Sequence, residues 1–387
     1  PTVEILESLK EYDEIYSEFS VNEKVALEVA MGASLYGART MASMKHVGVN
    51  IAADPLMTFT QTEINGAFVL VSGDDPGMAS SQNEQDNRIF GKFANMAVVY
   101  PGNSQEAKDY MKISLEISEL IQIPILMDIT SRVCHSRSVV EIMDRKEVKP
   151  KGFIPHREKY TMFPPHTFKA QHFMKDRLEK LREVAYDMPL NKLEEVEGSD
   201  TLIITSGLMY YNLKELGLDV SVYKLGLVYP LSEKRMRELA DKYKHIIVIE
   251  EMMPFIQDEL KLMGISSKGK EYFNFTGELH IEDIRNGLIK AGVIEGEEKT
   301  YQVVDTVKRP PMFCSGCPHR PVFDVLKKLK VKVIGDIGCY SISALEQWDV
   351  SQIMISMGAT VGMTKGMNKV MRRFQDDEPL VSVIGDG

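Results

Sequence analysis

Short apolar runs recur along this chain, and stretches with helical character separate them. Ala67–Val71 reads Ala-Phe-Val-Leu-Val, and Ile125–Asp128 reads Ile-Leu-Met-Asp. Neither alternates polar with apolar residues, so both faces of each strand must be covered. A helical pattern over 104–122 lies between them. This order predicts a parallel sheet with helices packed on it. The same rhythm returns at Thr201–Thr205, Val220–Lys224 and Ile246–Glu250, with a helix predicted over Ser232–Lys244. That is the pattern of a small doubly wound unit, and it fades near Gly292. Between the two, Lys149–Met174 is basic and holds prolines and aromatics, so it reads as a linker, and a charged helix follows at Lys175–Ala185. A third unit begins near Lys308. It has a helix over Pro321–Leu329, a strand over Val331–Ile334, a glycine-rich helix over 357–373 and a strand over Leu380–Ile384.

With 387 residues the chain is long enough for several buried cores. Its net charge of −10 argues against a nucleic-acid or polyanionic membrane partner. No apolar run reaches transmembrane length. Four cysteines are too few for a disulfide scaffold, and three of them stand in motifs, so a cytoplasmic metal or redox role is expected of them.

Those motifs lie near the end. Cys314-Ser-Gly-Cys317-Pro-His319 is followed by Gly335-Asp-Ile-Gly338-Cys339, and the chain closes on Gly385-Asp386-Gly387 after a strand. A Cys-x-x-Cys pair serves zinc, redox or iron–sulfur chemistry, and Cys339 supplies a third thiolate. With His319 the set also suits zinc, so both metals stay open. Cys134 has no such pattern and reads as a core residue. A carboxylate at the carboxyl edge of a parallel sheet sits where ligands bind, so Asp386 is a candidate Mg²⁺ ligand, and the flanking glycines allow a diphosphate close approach. An ordinary turn explains the same three residues. Gly358, Gly362 and Gly366 repeat every four residues on one helix face. Each glycine costs about 1 kcal/mol against alanine. Either tight packing or a cofactor accounts for that cost.

Two polar segments follow early elements: Met44-Lys45-His46-Val-Gly48-Val-Asn50, and Gly73-Asp74-Asp75 through Glu84. Both are expected in loops, where Lys45 and His46 can meet an anionic substrate. Ser20-Val-Asn-Glu23 precedes a helix of small residues, Lys24–Gly37. It fits a capping box, and it fits equally a glutamate that gives a proton to a heterocyclic nitrogen.

Taken together, "SVNEKVALEVAMGASLYG", "MKHVGVNIAADPLM", "DDPGMASSQNEQDNR", "CSGCPHRPVF" and "GDIGCYSI" resemble the large (alpha) subunits of indolepyruvate:ferredoxin oxidoreductases, within the wider 2-oxoacid:ferredoxin oxidoreductase family. The resemblance implies an α/β chain of thiamine diphosphate-binding fold domains, parallel sheets flanked by helices, with a transketolase-C-terminal-like domain between them. It implies a pyrimidine-binding domain over 1–155, a linker over 156–198, the transketolase-like domain over 199–300 and a diphosphate-binding domain over 301–387. Glu23, nine residues before Gly32, matches the catalytic glutamate. Asp386 matches the Mg²⁺ ligand. Cys314, Cys317 and Cys339 resemble three of the four ligands of a [4Fe-4S] cluster and are expected to converge. Gly338, Gly358, Gly385 and Gly387 are assigned to cofactor approach, and Lys45 and His46 to substrate. The implied reaction converts an aryl pyruvate and coenzyme A to an acyl-CoA, with a smaller beta subunit and ferredoxin as partners. The resemblance also implies that the first domain's start, the fourth cysteine, the rest of the Mg²⁺ motif and a ferredoxin-like domain lie outside these residues. On that reading this stretch alone is inactive and binds Mg²⁺–thiamine diphosphate weakly. A non-redox decarboxylase and a zinc-bearing scaffold are the alternatives.

Overall fold

The computed structural model describes residues 2–300, 307 and 309–385. The chain forms two compact units, 1–300 and 301–387.

In the first unit, β1 (Thr40–Lys45), β2 (Phe68–Asp74), β3 (Ala97–Val99) and β4 (Ile125–Thr130) build the expected parallel sheet. β2 and β4 are buried at every position, as their continuous apolar runs require. Four further strands follow: β5 (Lys192–Glu194), β6 (Thr201–Ser206), β7 (Ser221–Leu225) and β8 (Leu227–Tyr229). β9 (His245–Ile249) completes the set. The first sheet has the order β1-β2-β4-β3-β8 and the second β5-β7-β6-β9. Pairing is parallel except at β3–β8 and β5–β7. β8 therefore leaves the second segment of sequence to close the edge of the first sheet. One hydrophobic core runs from Leu27 through β2 and β4 to Leu202, Val248 and Leu260.

The expected linker is structured in its second half. A helix runs over His166–Val184, starting earlier than the charge pattern suggests, and β5 follows it. Proline at its start is compatible with a first turn. Ala170, Met174, Arg177, Leu178 and Leu181 form its buried stripe. Arg177 donates to the carbonyls of Thr60 (3.1 Å), Thr62 (2.7 Å), Gln61 (3.3 Å) and Gln122. Thr60 and Gln122 are the residues at which the helices Ala53–Phe59 and Ser104–Ile121 end, so one guanidinium satisfies carbonyls those helix ends leave free.

The second unit has a parallel sheet of β10 (Lys332–Ile334), β11 (Ser351–Ile353) and β12 (Leu380–Ser382) in the order β11-β10-β12. Helices over His319–Leu329 and Ala359–Arg373 accompany it. Its small core gathers Phe313, Phe323, Val333 and Val350. Among the described residues no helix is long and apolar enough to cross a membrane.

Candidate active site

The carboxyl ends of β1, β2 and β4 lie side by side, at Lys45, Asp74 and Thr130. In open α/β sheets this is the edge at which ligands bind. Glu23 belongs to the same unit and opens the helix Glu23–Leu35. The cap of that helix is Asn22, whose side chain accepts from the Val25 amide at 3.0 Å. The capping box considered for Ser20 and Glu23 is thus replaced: Asn22 is the cap, and the helix starts at Glu23, one residue before the predicted Lys24. The Glu23 carboxylate is half-buried and accepts no hydrogen bond from any described residue. It lies on Gly48, where a β-carbon would stand 2.6 Å from Glu23 Cγ and 2.9 Å from Oε1.

Gly48 sits in a short helix, His46–Ile51, where the sequence suggested a loop. His46 is fully buried, with Nδ1 3.2 Å from the Gly73 carbonyl and Nε2 3.3 Å from the Asn83 carbonyl. Its ring ties the helix to the 73–87 segment. Gln85 and Asn87 donate to the His46 carbonyl, and Gln85 also bonds Asn50. Lys45 is half-buried and donates to the Ser80 carbonyl at 2.7 Å. Burial lowers its pKa, with Asp75 opposing. Burial raises Asp75, but the Ser81 hydroxyl and the Ser80 amide outweigh it and hold the carboxyl below its usual range. The two polar segments singled out in the sequence therefore brace each other.

Beneath this edge lies a group the sequence reading did not assign. Carboxylate oxygens of Asp74, Asp86 and Asp128, all buried, lie within 4.8 Å of one another. Asp86 is held by Arg88 through Nε (2.9 Å) and Nη2 (2.6 Å). Asp74 accepts from the Asn87 amide and Ser72 hydroxyl. Among the described residues, no donor reaches either Asp128 oxygen. Burial pushes Asp74 up to about 7 and Asp128 well above the usual carboxylate range, with Asp74 the next cause for Asp128. A signal was available: Asp128 is an ionisable residue inside an apolar strand, where a charge costs too much to stand unpaired.

In the second unit, Gly316 turns the Cys-x-x-Cys loop at φ 73°. Cys317 Sγ lies 3.1 Å from His319 Nδ1, and the His319 ring meets Tyr340, the neighbour of Cys339, at 4.8 Å. The two cysteine segments thus approach through His319. The three sulfurs do not form a set within 4.8 Å; among the described residues only the aspartate trio does. Cys314 and Cys339 are exposed. Gly338 (φ 141°) starts the turn that carries Cys339, and Gly358 (φ 75°) caps the helix Ala359–Arg373. The Gly358 amide donates to the Asp336 carboxylate at 3.1 Å. Gly362 and Gly366 face open space, so the tight packing considered for the glycine stripe is absent among the described residues. A β-carbon on Gly385 would meet the Tyr340 ring at 3.1 Å. Asp386 and Gly387 lie outside the described residues. Cys134, in the first unit, is half-buried against the core, and burial raises its thiol to about 11.

Residues 7–194 match the thiamine diphosphate-binding family of pyruvate flavodoxin/ferredoxin oxidoreductases. The chain is 37% identical to the indolepyruvate oxidoreductase subunit IorA of Archaeoglobus fulgidus, over 96% of this chain and 62% of that subunit. The IorA subunit of Methanothermobacter marburgensis is 35% identical over 96% of this chain and 63% of its own length. The chain is thus similar to these subunits along nearly its whole length. It spans less than two thirds of the length of the relatives it matches. A solved 2-oxoglutarate:ferredoxin oxidoreductase from Magnetococcus marinus shares the fold, with a TM-score of 0.53 and 15% identity over 70% of this chain and 56% of that one. The mixed α/β architecture, parallel sheets flanked by helices, is that of the thiamine diphosphate-binding folds.

Proposed function

We propose that this chain is part of the alpha subunit of a thiamine diphosphate-dependent 2-oxoacid oxidoreductase. Its substrates are aryl pyruvates such as indolepyruvate, and its products are CO₂ and an acyl-CoA. A [4Fe-4S] cluster, when bound, would carry the two electrons to ferredoxin. The enzyme acts in the cytoplasm, with a smaller beta subunit as partner.

The observation that carries this reading is the Glu23 carboxylate, half-buried at a helix start and without a donor among the described residues. Such a group suits a ring nitrogen that exchanges a proton with it. Thiamine diphosphate, when bound, supplies the electron sink for decarboxylation. Glu23 holds and returns the proton at the pyrimidine nitrogen. Lys45, half-exposed near that edge, offers a cation to the substrate carboxylate, while His46 keeps the loop in place. Gly338 and Gly358, both at positive φ, give a diphosphate backbone without side chains in the way. Asp386, with Gly385 and Gly387, is the proposed Mg²⁺ ligand. Cys314, Cys317 and Cys339 are the proposed cluster thiolates; they suit iron by type and lie on segments that meet at His319.

The test uses the complete protein purified with its partner subunit without oxygen. Indolepyruvate- and CoA-dependent reduction of ferredoxin is expected, with iron bound. CO₂ release without electron transfer marks a plain decarboxylase, and zinc without iron marks a scaffold; either result replaces this reading.

A further inference from the structure

We infer that Gly48 is a positioning residue for Glu23: its bare α-carbon forms the surface on which the carboxylate rests. The inference deepens the reading that Glu23 is the acid–base group and rests on it.

The contact leaves little room. Non-bonded carbons prefer about 3.5–4.0 Å. A β-carbon on residue 48 would stand 2.6 Å from Glu23 Cγ, 2.9 Å from Oε1 and 3.0 Å from Cδ, so it meets nearly the whole end of the side chain. Which partner gives way is decided by what holds each. The helix His46–Ile51 is buried at His46, Val47, Gly48 and Val49. Its start is fixed by the buried His46 ring, which lies against the Gly73 and Asn83 carbonyls, and by Gln85 and Asn87, which donate to the His46 carbonyl. Glu23 has no such ties among the described residues. A methyl group at 48 therefore displaces the carboxylate rather than the helix. Gly48 is not at positive φ, so its glycine is explained by this close approach and not by backbone strain. The same contact gives the polar 73–87 segment a purpose: it fixes the seat.

The experiment compares Gly48→Ala, Glu23→Gln, Glu23→Ala and the Glu23→Ala/Gly48→Ala double variant in the complete protein with its partner subunit. Turnover, KM for the keto acid and Tm are measured. Glu23→Gln lowers turnover by about 10²–10⁴-fold if the underlying reading holds. Gly48→Ala lowers kcat by about 10²-fold, the scale of a 1 Å misplacement, and leaves KM within about twofold. It also lowers Tm by a few degrees, because a side chain is forced aside. In the double variant the methyl group enters the space Glu23 has vacated. There Gly48→Ala costs no further turnover and the lost Tm returns, an outcome that a general packing defect does not give. Wild-type turnover in Gly48→Ala, beside an inactive Glu23→Gln, overturns the positioning role and spares the reading beneath it. So does an equal Tm loss in the presence and absence of the Glu23 side chain. Near-normal turnover in Glu23→Gln overturns the reading itself. If Gly48→Ala does not fold, folding of the double variant supports the inference, and failure of both overturns it.

Discussion

Arg88 Nη1 lies 3.0 Å from Glu250 Oε2, with both side chains almost completely buried, and joins the start of the helix Asn87–Phe93 to the residue that follows β9. The same guanidinium grips Asp86 and donates to the carbonyl of Glu251 at 2.9 Å. The two sheets of the first unit are thus linked by one cation held between carboxylates.

Removing that cation strands buried charge. Arg88→Leu is expected to destabilise the protein by about 3–5 kcal/mol, the usual result of breaking one side of a buried pair. Denaturant unfolding checks it. A loss below about 1 kcal/mol shows that Asp86 and Glu250 do not depend on Arg88.

The aspartate trio gives stability a pH dependence of known sign. Asp74 has an ordinary value of 3.8 and is raised to about 7 in the folded chain. Between those values the unfolded chain has released a proton that the folded chain keeps. Stability therefore falls as pH rises through this window, and the penalty is complete above about 7. Asp128→Asn supplies an amide donor to Asp74 and removes a second acid, so it is expected to flatten this fall and to stabilise at pH 8. Unfolding series from pH 4 to 8 decide; an unchanged slope means that this pair does not set it.

Asn22 and Ser20 separate the two accounts of the first helix. Asn22→Ala is expected to cost about 1 kcal/mol as the loss of an N-cap, and Ser20→Ala a few tenths or less. Chemical denaturation of both variants is the check. The reverse ranking restores Ser20 as the cap.

Arg177→Met keeps the aliphatic packing and removes the donors to the Thr60, Gln61, Thr62 and Gln122 carbonyls. Each buried carbonyl left unsatisfied costs about 1–3 kcal/mol. A loss of at least about 2 kcal/mol in urea unfolding is expected, and one near zero means that water replaces the guanidinium freely.

The long apolar strands were legible because burial on both faces leaves no other pattern: β2, β4, β6 and β9 lie where Ala67–Val71, Ile125–Asp128, Thr201–Thr205 and Ile246–Glu250 indicated. β8 was not, since three residues carry no periodicity and its pairing with β3 is long-range. Prolines and aromatics masked the start of the helix His166–Val184. Within the candidate site, Glu23 and Lys45 were legible as residue types at a motif. The seat at Gly48 and the carboxylates gathered by Asp128 were not, because each depends on a contact between elements distant in sequence. The open face at Gly362 and Gly366 sets aside only the packing account of the stripe: spacing within one helix says what it can accommodate, not what lies against it.

The strand exchange at β8 bears on how the protein can be dissected. Tyr100 N donates to the Gly226 carbonyl at 2.8 Å, and Val98 and Val99 pair with Tyr229 and Leu227. A cut near residue 155, where composition changes, would strip β3 of this neighbour and leave its amides and carbonyls bare beside a strongly apolar sheet. Such an edge recruits other chains. A piece cut there therefore precipitates or pairs with itself, and the smallest soluble piece containing Glu23 must extend past Tyr229.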